Sequence, residues 1–393
     1  MSTQMTSRER LLAAIRHEEA DRLPIVPRYH NYCMAKLGDH LIHNQLRMNE
    51  EYGWDNYLVV PSLTDALWPN YFWNVRLKDF TCLEKAGLRL EVKITEQQDS
   101  WMLDRTFRCP AGALTDKAML PKSNSGSGIR PNPHYFEYLV KDRHDLECLQ
   151  YFLLDPGECS DFETLREARA LLGSNGLLMA YVNSALDDKL GCVYGSENLM
   201  MTYYDDREFC RRLLAVFHEH TRREVKSLLE REVDGVHTTW YWSSLSAGWS
   251  PELISELYLP MVQDLAALTH NYGKLIYYYD DGYVMPIAKN LRDAGVDVLG
   301  TCAPPPAANN DLERLKDEIG DKVCLHGNTD VIELIRSGTP EKIRESVRRT
   351  VEQASRGGGF ILGTSDSIRE DTPEKNVVAW TQAAREYAQY PRG

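Results

Sequence analysis

The segment KLIYYYDDG, Lys274 to Gly282, runs apolar and aromatic residues straight into two adjacent carboxylates, Asp280 and Asp281, and then a glycine. A short apolar run bounded in this way reads as a buried parallel strand. A strand that stops in Asp-Asp-Gly puts charge at the mouth of a barrel, where barrel enzymes carry their chemistry. The neighbouring chain repeats the pattern. VDGVHTTWYW (Val233 to Trp242) precedes it, and VDVLGTC (Val296 to Cys302), KVCLHGN (Lys322 to Asn328) and a run from Phe360 to Gly363 follow.

Helices are expected between these strands. One runs from about Pro251 to His270 with Ser250 as N-cap, and another starts at Asn310 or Asp311. Val331 to Arg336 and Pro340 to Arg356 follow, the latter capped by Thr339 and ended by Gly357. Pro373 opens the last, with Thr372 as N-cap. The first half adds the strands PIVPR (Pro24 to Arg28), YLVV (Tyr57 to Val60) and LLMAYVN (Leu177 to Asn183). Strand and helix alternating at this spacing means right-handed βαβ units and a parallel sheet. Eight such units predict an α/β fold, a closed (β/α)8 TIM barrel rather than an open doubly wound sheet. No GxGxxG fingerprint follows a strand.

Residues 76–120 interrupt the alternation. LRLEVKI (Leu88 to Ile94) and WMLDRTF (Trp101 to Phe107), with PAGAL (Pro110 to Leu114) as a turn, predict an antiparallel hairpin inserted into a single domain spanning 1–393. KSNSGSGIRPNP (Lys122 to Pro133) reads as a mobile loop covering the barrel mouth.

The 393 residues carry a net charge of −13, which argues against nucleic acid or an anionic membrane as partner. No run of about 18 apolar residues predicts a membrane span, and the charged, amphipathic N-terminus lacks a signal core. A cytoplasmic location is expected. The nine cysteines have no CxxC spacing, so reduced thiols are expected, most of them small buried hydrophobes.

TSRERLLAAIRHEEADRLPIVPR (Thr6 to Arg28) resembles the N-terminal helix and first strand of the uroporphyrinogen decarboxylase superfamily. CLHGNTDVIELIRSGTPEKIRESVRRTVEQASRGGGFILGTSDSIREDTPEKNV (Cys324 to Val377) resembles its C-terminal third. There a Gly-Asn-x-Asp turn, a Gly-Thr-Pro helix start, a Gly-Gly strand start and a Thr-Pro-x-x-Asn helix start recur in that order. The resemblance implies a distorted TIM barrel with its site at the C-terminal strand ends, and a homodimer. One branch of the superfamily decarboxylates tetrapyrrole acetate arms without a cofactor. The other moves methyl groups between a substrate, a corrinoid and a thiol, with zinc held by His-x-Cys and a distant Cys.

The chain departs from both branches. The decarboxylases carry Met-Arg-Gln-Ala-Gly-Arg after the first strand, where this chain has PRYHNY and keeps only Arg28. One guanidinium cannot pair several carboxylates. In place of His-x-Cys-Gly stands Tyr279-Asp280-Asp281-Gly282, and in place of the distant cysteine stands Asp366. These are hard oxygen donors, so no thiol-ligated zinc is expected. The pattern is closer to members with a His-x-Asp-Gly strand end, on the methyltransferase-like side.

Asp281 and Asp366 end the fifth and last strands, whose ends converge in a barrel. Two close carboxylates push one pKa upward and make a general acid available. Tyr279 can donate a hydrogen bond there, although a run of three tyrosines on a strand equally fits core packing. Asp280 points to the opposite face of the pleat. Arg28 and His30 close the first strand with period-two spacing and can both face inward, Arg28 to anchor a carboxylate or phosphate. His237, within VHTTWYW, is a candidate acid/base or a core histidine. Trp240 and Trp242 can form a flat wall. Asn183 and His326 are further binding candidates. Asp330 argues against an anion site after His326, and Gly357-Gly358-Gly359 is a helix stop rather than a phosphate loop.

The expectation is a methyltransferase moving a methyl group from a small methoxy or methylamine substrate to a corrinoid on a docked partner protein. A cofactor-independent decarboxylase of a tetrapyrrole or smaller carboxylate is the alternative, and a non-catalytic binding barrel a third reading.

Overall fold

The computed structural model describes residues 4–60, 83–84, 86–122, 133–159 and 162–390. Its strands are β1 (Ile25–Arg28), β2 (Tyr57–Val60), β3 (Arg89–Glu96), β4 (Ser100–Cys109), β5 (Gly112–Pro121), β6 (His134–Glu137), β7 (Leu177–Asn183), β8 (Gly235–Thr239), β9 (Leu275–Tyr279), β10 (Val298–Thr301), β11 (Cys324–Thr329) and β12 (Phe360–Ser367). The chain forms two compact units. One comprises Met1–Val60, Glu163–Tyr181 and Leu229–Gly393, the other Pro61–Phe162 and Val182–Leu228.

The eight-stranded sheet runs β1-β12-β11-β10-β9-β8-β7-β2. The paired strands are parallel, with Arg28 opposite Ser367, His237 opposite Tyr277 and Tyr279 opposite Gly300. With its intervening helices this is an α/β fold of TIM-barrel type, as the strand pattern predicts, and all eight expected strands are present. The hydrogen-bonded ladder begins at β1 and ends at β2.

The alternation of the pleat decides what fills the barrel. Val26, Tyr57, Leu177, Met179, Tyr277, Tyr279, Val298, Cys324 and Ile361 form a buried cluster that also takes in Leu11, Ala14 and Ile15 of the helix Ser7–Ile15. Each of the valine, leucine, isoleucine and methionine side chains contributes roughly 1.5–3 kcal/mol by leaving water. That helix is anchored through Arg10, which bonds Asp21 at 2.7 Å and the buried Asp55 at 2.5 Å. Asp55 also accepts from the Ile25 amide, at the start of β1. This network lies at the N-terminal strand ends, where barrels invest in stability rather than chemistry.

The expected caps are present. Ser250, Asp311 and Thr339 each accept a hydrogen bond from an amide in the helix that follows. The last helix differs slightly. Pro373 is itself the N-cap, in extended conformation, and the helix is Glu374–Tyr387, so Thr372 lies outside it. The preceding helix ends at Ala354 with Ser355 as its C-cap, short of the expected Arg356, and Gly357, Gly358 and Gly359, all with φ near +70°, carry the chain on towards β12. At Gly358 a Cβ would lie 2.7 Å from the backbone of His17 and Glu18, so glycine is also required there by close approach.

The second unit contains the antiparallel sheet β3-β4-β5-β6. The region expected as a hairpin with PAGAL as its turn instead carries three strands in its described part, since Gly112 to Leu114 already belong to β5, and β6 (His134–Glu137) adds a fourth beyond the predicted boundary. β4 and β5 join through Pro110 and Ala111, with Cys109 opposite Gly112. Arg105 and Asp116 face one another across these strands as a fully buried ion pair. Residues 76–82 of the expected insertion, and 123–132 of the expected loop, lie outside the described residues.

Candidate active site

The C-terminal ends of β1, β9 and β12 bring together Arg28, Tyr279, Asp281 and Asp366. Arg28 Nη1 lies 3.3 Å from Asp366 Oδ1. The Tyr279 hydroxyl donates to the same oxygen across 3.1 Å. The Arg28 guanidinium also lies over the Tyr279 ring, 3.9 Å from its centroid. Arg369 approaches the other Asp366 oxygen at 3.6 Å. Asp366 therefore faces two guanidinium groups and a phenol.

Charge states follow from this packing. Burial opposes ionisation of Arg28, but Tyr279, Asp366, Tyr181 and Asp281 outweigh it, and its pKa rises. Burial raises the Tyr279 phenol well above its ordinary value, with Arg28 opposing and both carboxylates assisting, so it stays a donor. Asp281 is exposed at the mouth. Partial loss of hydration, and then repulsion from Asp366, push its carboxyl above the usual aspartate value, with Arg28 opposing. One carboxylate held by cations beside another biased toward its acid form is an acid–base arrangement.

Beneath this group lies a layer of polar rings. His237 stacks on Tyr277, centroids 4.2 Å apart, and on its other side on Tyr181 at 5.9 Å. Its Nδ1 is 3.3 Å from the Tyr57 hydroxyl. His326 Nε2 is 2.7 Å from the Val26 carbonyl, which can only accept, so Nε2 carries the hydrogen. In its neutral form Nδ1 then accepts from the Tyr277 hydroxyl at 2.9 Å. Burial keeps both imidazoles neutral, aided by the Arg28 charge. His237 falls well below its ordinary pKa and His326 drops to about 4. Glycines make room for this layer. A Cβ on Gly300 would lie 1.7 Å from the Tyr277 hydroxyl, and one on Gly363 would lie 2.5 Å from His326 Nε2.

The candidates from sequence are therefore split. Arg28, Tyr279, Asp281 and Asp366 converge. His237 and His326 sit in the layer below, 4% and 8% exposed, tied to tyrosines rather than open at the mouth. Trp240 is placed elsewhere. Its ring stacks on Tyr278 at 5.6 Å and its indole donates to Thr238, on the face of the strand opposite the barrel interior. Trp242 is half-buried and packs edge-on against Tyr241, with its carbonyl accepting from the Trp249 indole. His30 does not continue the period of β1. That strand ends at Arg28, and His30 opens the helix His30–Leu37, its ring 6.2 Å from that of His40. Asn183 is buried, and its main-chain oxygen accepts from Thr221 within the second unit. Asp280 points away from the interior as the pleat requires. It is fully buried, with Oδ1 accepting from the Gly282 amide. Asp330 caps the turn Val331–Arg336 by accepting from the amides of residues 332–334. That helix start is thus filled by the chain's own carboxylate.

Tyr57, Tyr181, Tyr241 and Arg369 were not singled out from the sequence. The alternation in LLMAYVN does place Tyr181 on the face of Leu177 and Met179. Arg369 lies three residues beyond Asp366 in a loop, where no periodicity applies. Among the described residues, no three His, Cys, Asp or Glu side chains are grouped so as to hold a metal ion. No helix among them is long and apolar enough to cross a membrane.

A family model for uroporphyrinogen decarboxylase (URO-D) matches residues 190–387. Among curated proteins, a uroporphyrinogen decarboxylase of Methylococcus capsulatus is 31% identical over 98 residues, 25% of this chain and 26% of that protein. One from Chlorobaculum parvum is 23% identical over 226 residues, 56% of this chain and 61% of its own length. The chain thus matches between about a quarter and three fifths of these two relatives. Among solved structures, a methyltransferase from Methanosarcina mazei superposes over 98% of this chain and 99% of its own, with a TM-score of 0.64 at 15% identity. That likeness concerns the fold.

Proposed function

The chain belongs to the uroporphyrinogen decarboxylase family, a family of enzymes, and within it we propose a methyltransferase that takes a methyl group from a small methoxy or methylamine compound and passes it to a corrinoid on a partner protein. The observation that carries this reading is the sharing of Asp366 by Arg28, Tyr279 and Arg369 beside an Asp281 biased toward its acid form. Arg28 is already neutralised within the site, so it is poorly suited to gripping the several carboxylates of a tetrapyrrole. A raised carboxyl at the mouth is what a departing heteroatom needs.

As the carbon–heteroatom bond breaks, its electron pair stays on oxygen or nitrogen, and Asp281 delivers a proton there. Tyr279 and Arg28 hold Asp366 in place beside Asp281. The corrinoid, when docked, supplies the reduced cobalt that accepts the methyl group. The rim suits a flat, largely apolar partner face. Tyr241 packs edge-on against Tyr279 and Trp242 edge-on against Tyr241, both half-buried, with Tyr283 two residues beyond the exposed Asp281.

The reading is tested by incubating the protein with reduced cobalamin and a panel of methoxyarenes and methylamines, and measuring the demethylated products by mass spectrometry. Product formation that depends on Asp281 supports it. Release of carbon dioxide from uroporphyrinogen without any demethylation replaces it with the decarboxylase reading.

A further inference from the structure

Outside the barrel, the tip of the β4–β5 hairpin carries a cluster of thiols and an imidazole. Cys109 ends β4 and stands opposite Gly112 across a two-residue turn. Opposed residues of an antiparallel pair lie about 4.5–5.5 Å apart at Cα. Cys148, on the helix Arg143–Gln150, reaches this turn. A Cβ built on Gly112 would lie 3.4 Å from Cys148 Sγ and 3.5 Å from His144 Nε2. Cys148 Sγ is itself 3.7 Å from His144 Nε2. Cys148 is fully buried, Cys109 half-buried and His144 exposed. Nothing in the barrel chemistry uses them.

We propose that Cys109 and Cys148 form a reversible, oxidant-sensitive dithiol pair, with Cys109 as the thiol that meets the oxidant, Cys148 as the resolving thiol and His144 as its base. Geometry assigns the roles. Only Cys109 is open to a disulfide or peroxide from solution, and only Cys148 has an imidazole nitrogen beside its sulfur. With glutathione disulfide, the Cys109 thiolate attacks one sulfur and releases one glutathione thiolate, leaving a mixed disulfide. Cys148 then attacks Cys109 Sγ, giving its proton to His144 Nε2, and the second glutathione leaves and takes up a proton. Two protein thiols are oxidised and one disulfide is reduced to two thiols. Burial, the Cys109 thiol and the carboxylates of Asp145 and Glu147 push Cys148 up to about 11, so it resolves the mixed disulfide only with a base at hand. The bond would pin the hairpin tip to the helix that carries Cys148.

The test treats the whole protein, under native conditions, with glutathione disulfide and then blocks free thiols. The expected product has lost two hydrogens, yields one peptide pair joining Cys109 to Cys148, and returns to the starting mass with dithiothreitol. Cys148→Ser should stall with a single glutathionyl group on Cys109. Cys109→Ser should slow Cys148 oxidation by about tenfold or more. His144→Ala should accumulate the mixed disulfide while leaving the first step unchanged. Full alkylation of both thiols after treatment, or a bond joining either to another cysteine, would overturn the proposal. So would equal rates in the wild-type protein and His144→Ala, for the role given to the imidazole. All of these are read by mass, independently of any methyl-transfer activity.

Discussion

Tyr279 donates its phenolic hydrogen to the Asp366 oxygen that also faces Arg28, so one atom, Asp366 Oδ1, joins the ends of β9, β12 and β1. Tyr279→Phe keeps the ring under Arg28 but removes this donor. Turnover of a methylated substrate should fall by about tenfold while the circular dichroism spectrum stays unchanged. Wild-type turnover would show that the phenol does not position Asp366.

Asp281→Asn retains shape and loses the proton. The expected loss in kcat is on the order of a hundredfold or more. The pH profile gives the sign. The acid form of Asp281 is the donor, and its pKa is raised, so kcat/KM should decline as pH climbs through that value. The declining limb should vanish in Asp281→Asn. Its persistence would assign the limb to another group.

Acid should loosen the barrel through its histidines. Folded His326 stays neutral down to about 4, held by burial and the Arg28 charge. In an unfolded chain it protonates near 6.5. Between these values the unfolded state binds more protons, so stability is fully present above about pH 6.5 and is lost as pH falls toward 4. At pH 5 the cost at this one residue is about 2 kcal/mol. Thermal melts of the wild type and His326→Gln should show a stability gap at pH 7 that narrows at pH 5. Parallel curves would remove His326 from the acid response.

Gly300 is required by the phenol opposite it. Gly300→Ala places a methyl 1.7 Å from the Tyr277 hydroxyl, which is tied to His326. Overpacking of this kind costs about 1–3 kcal/mol, measurable by urea unfolding. Adding Tyr277→Phe removes the colliding oxygen and should recover part of that loss. A double variant as unstable as the sum of the singles would contradict the contact.

The barrel was legible because strand and helix periods alternate without conflict from Val233 onward, and because Ser250, Asp311 and Thr339 announce their helices. The meeting of Asp281, Asp366 and Arg28 was legible because strand ends converge in any barrel. What sequence could not supply was depth. His237 and Tyr279 share one face of the sheet, but only the register, His237 opposite Tyr277, places the histidine one step below the mouth. His30 was misplaced because β1 ends at Arg28, and a period-two argument has no force once the chain turns into a helix. Trp240 illustrates the reverse. The same pleat that aims Tyr277 and Tyr279 inward sends Tyr278 outward, and Trp240 follows it there.

The tier of Tyr57, His237, Tyr277 and His326 works as a plug. Among the described residues, these buried rings fill the barrel interior beneath the Arg28 and Tyr279 pair, which leaves the chemistry to the mouth above them. Selectivity for one compound over another then has to be written in side chains around its edge. Those can be exchanged without disturbing the tyrosine–histidine bonds below, so a new specificity need not be accompanied by a weaker barrel.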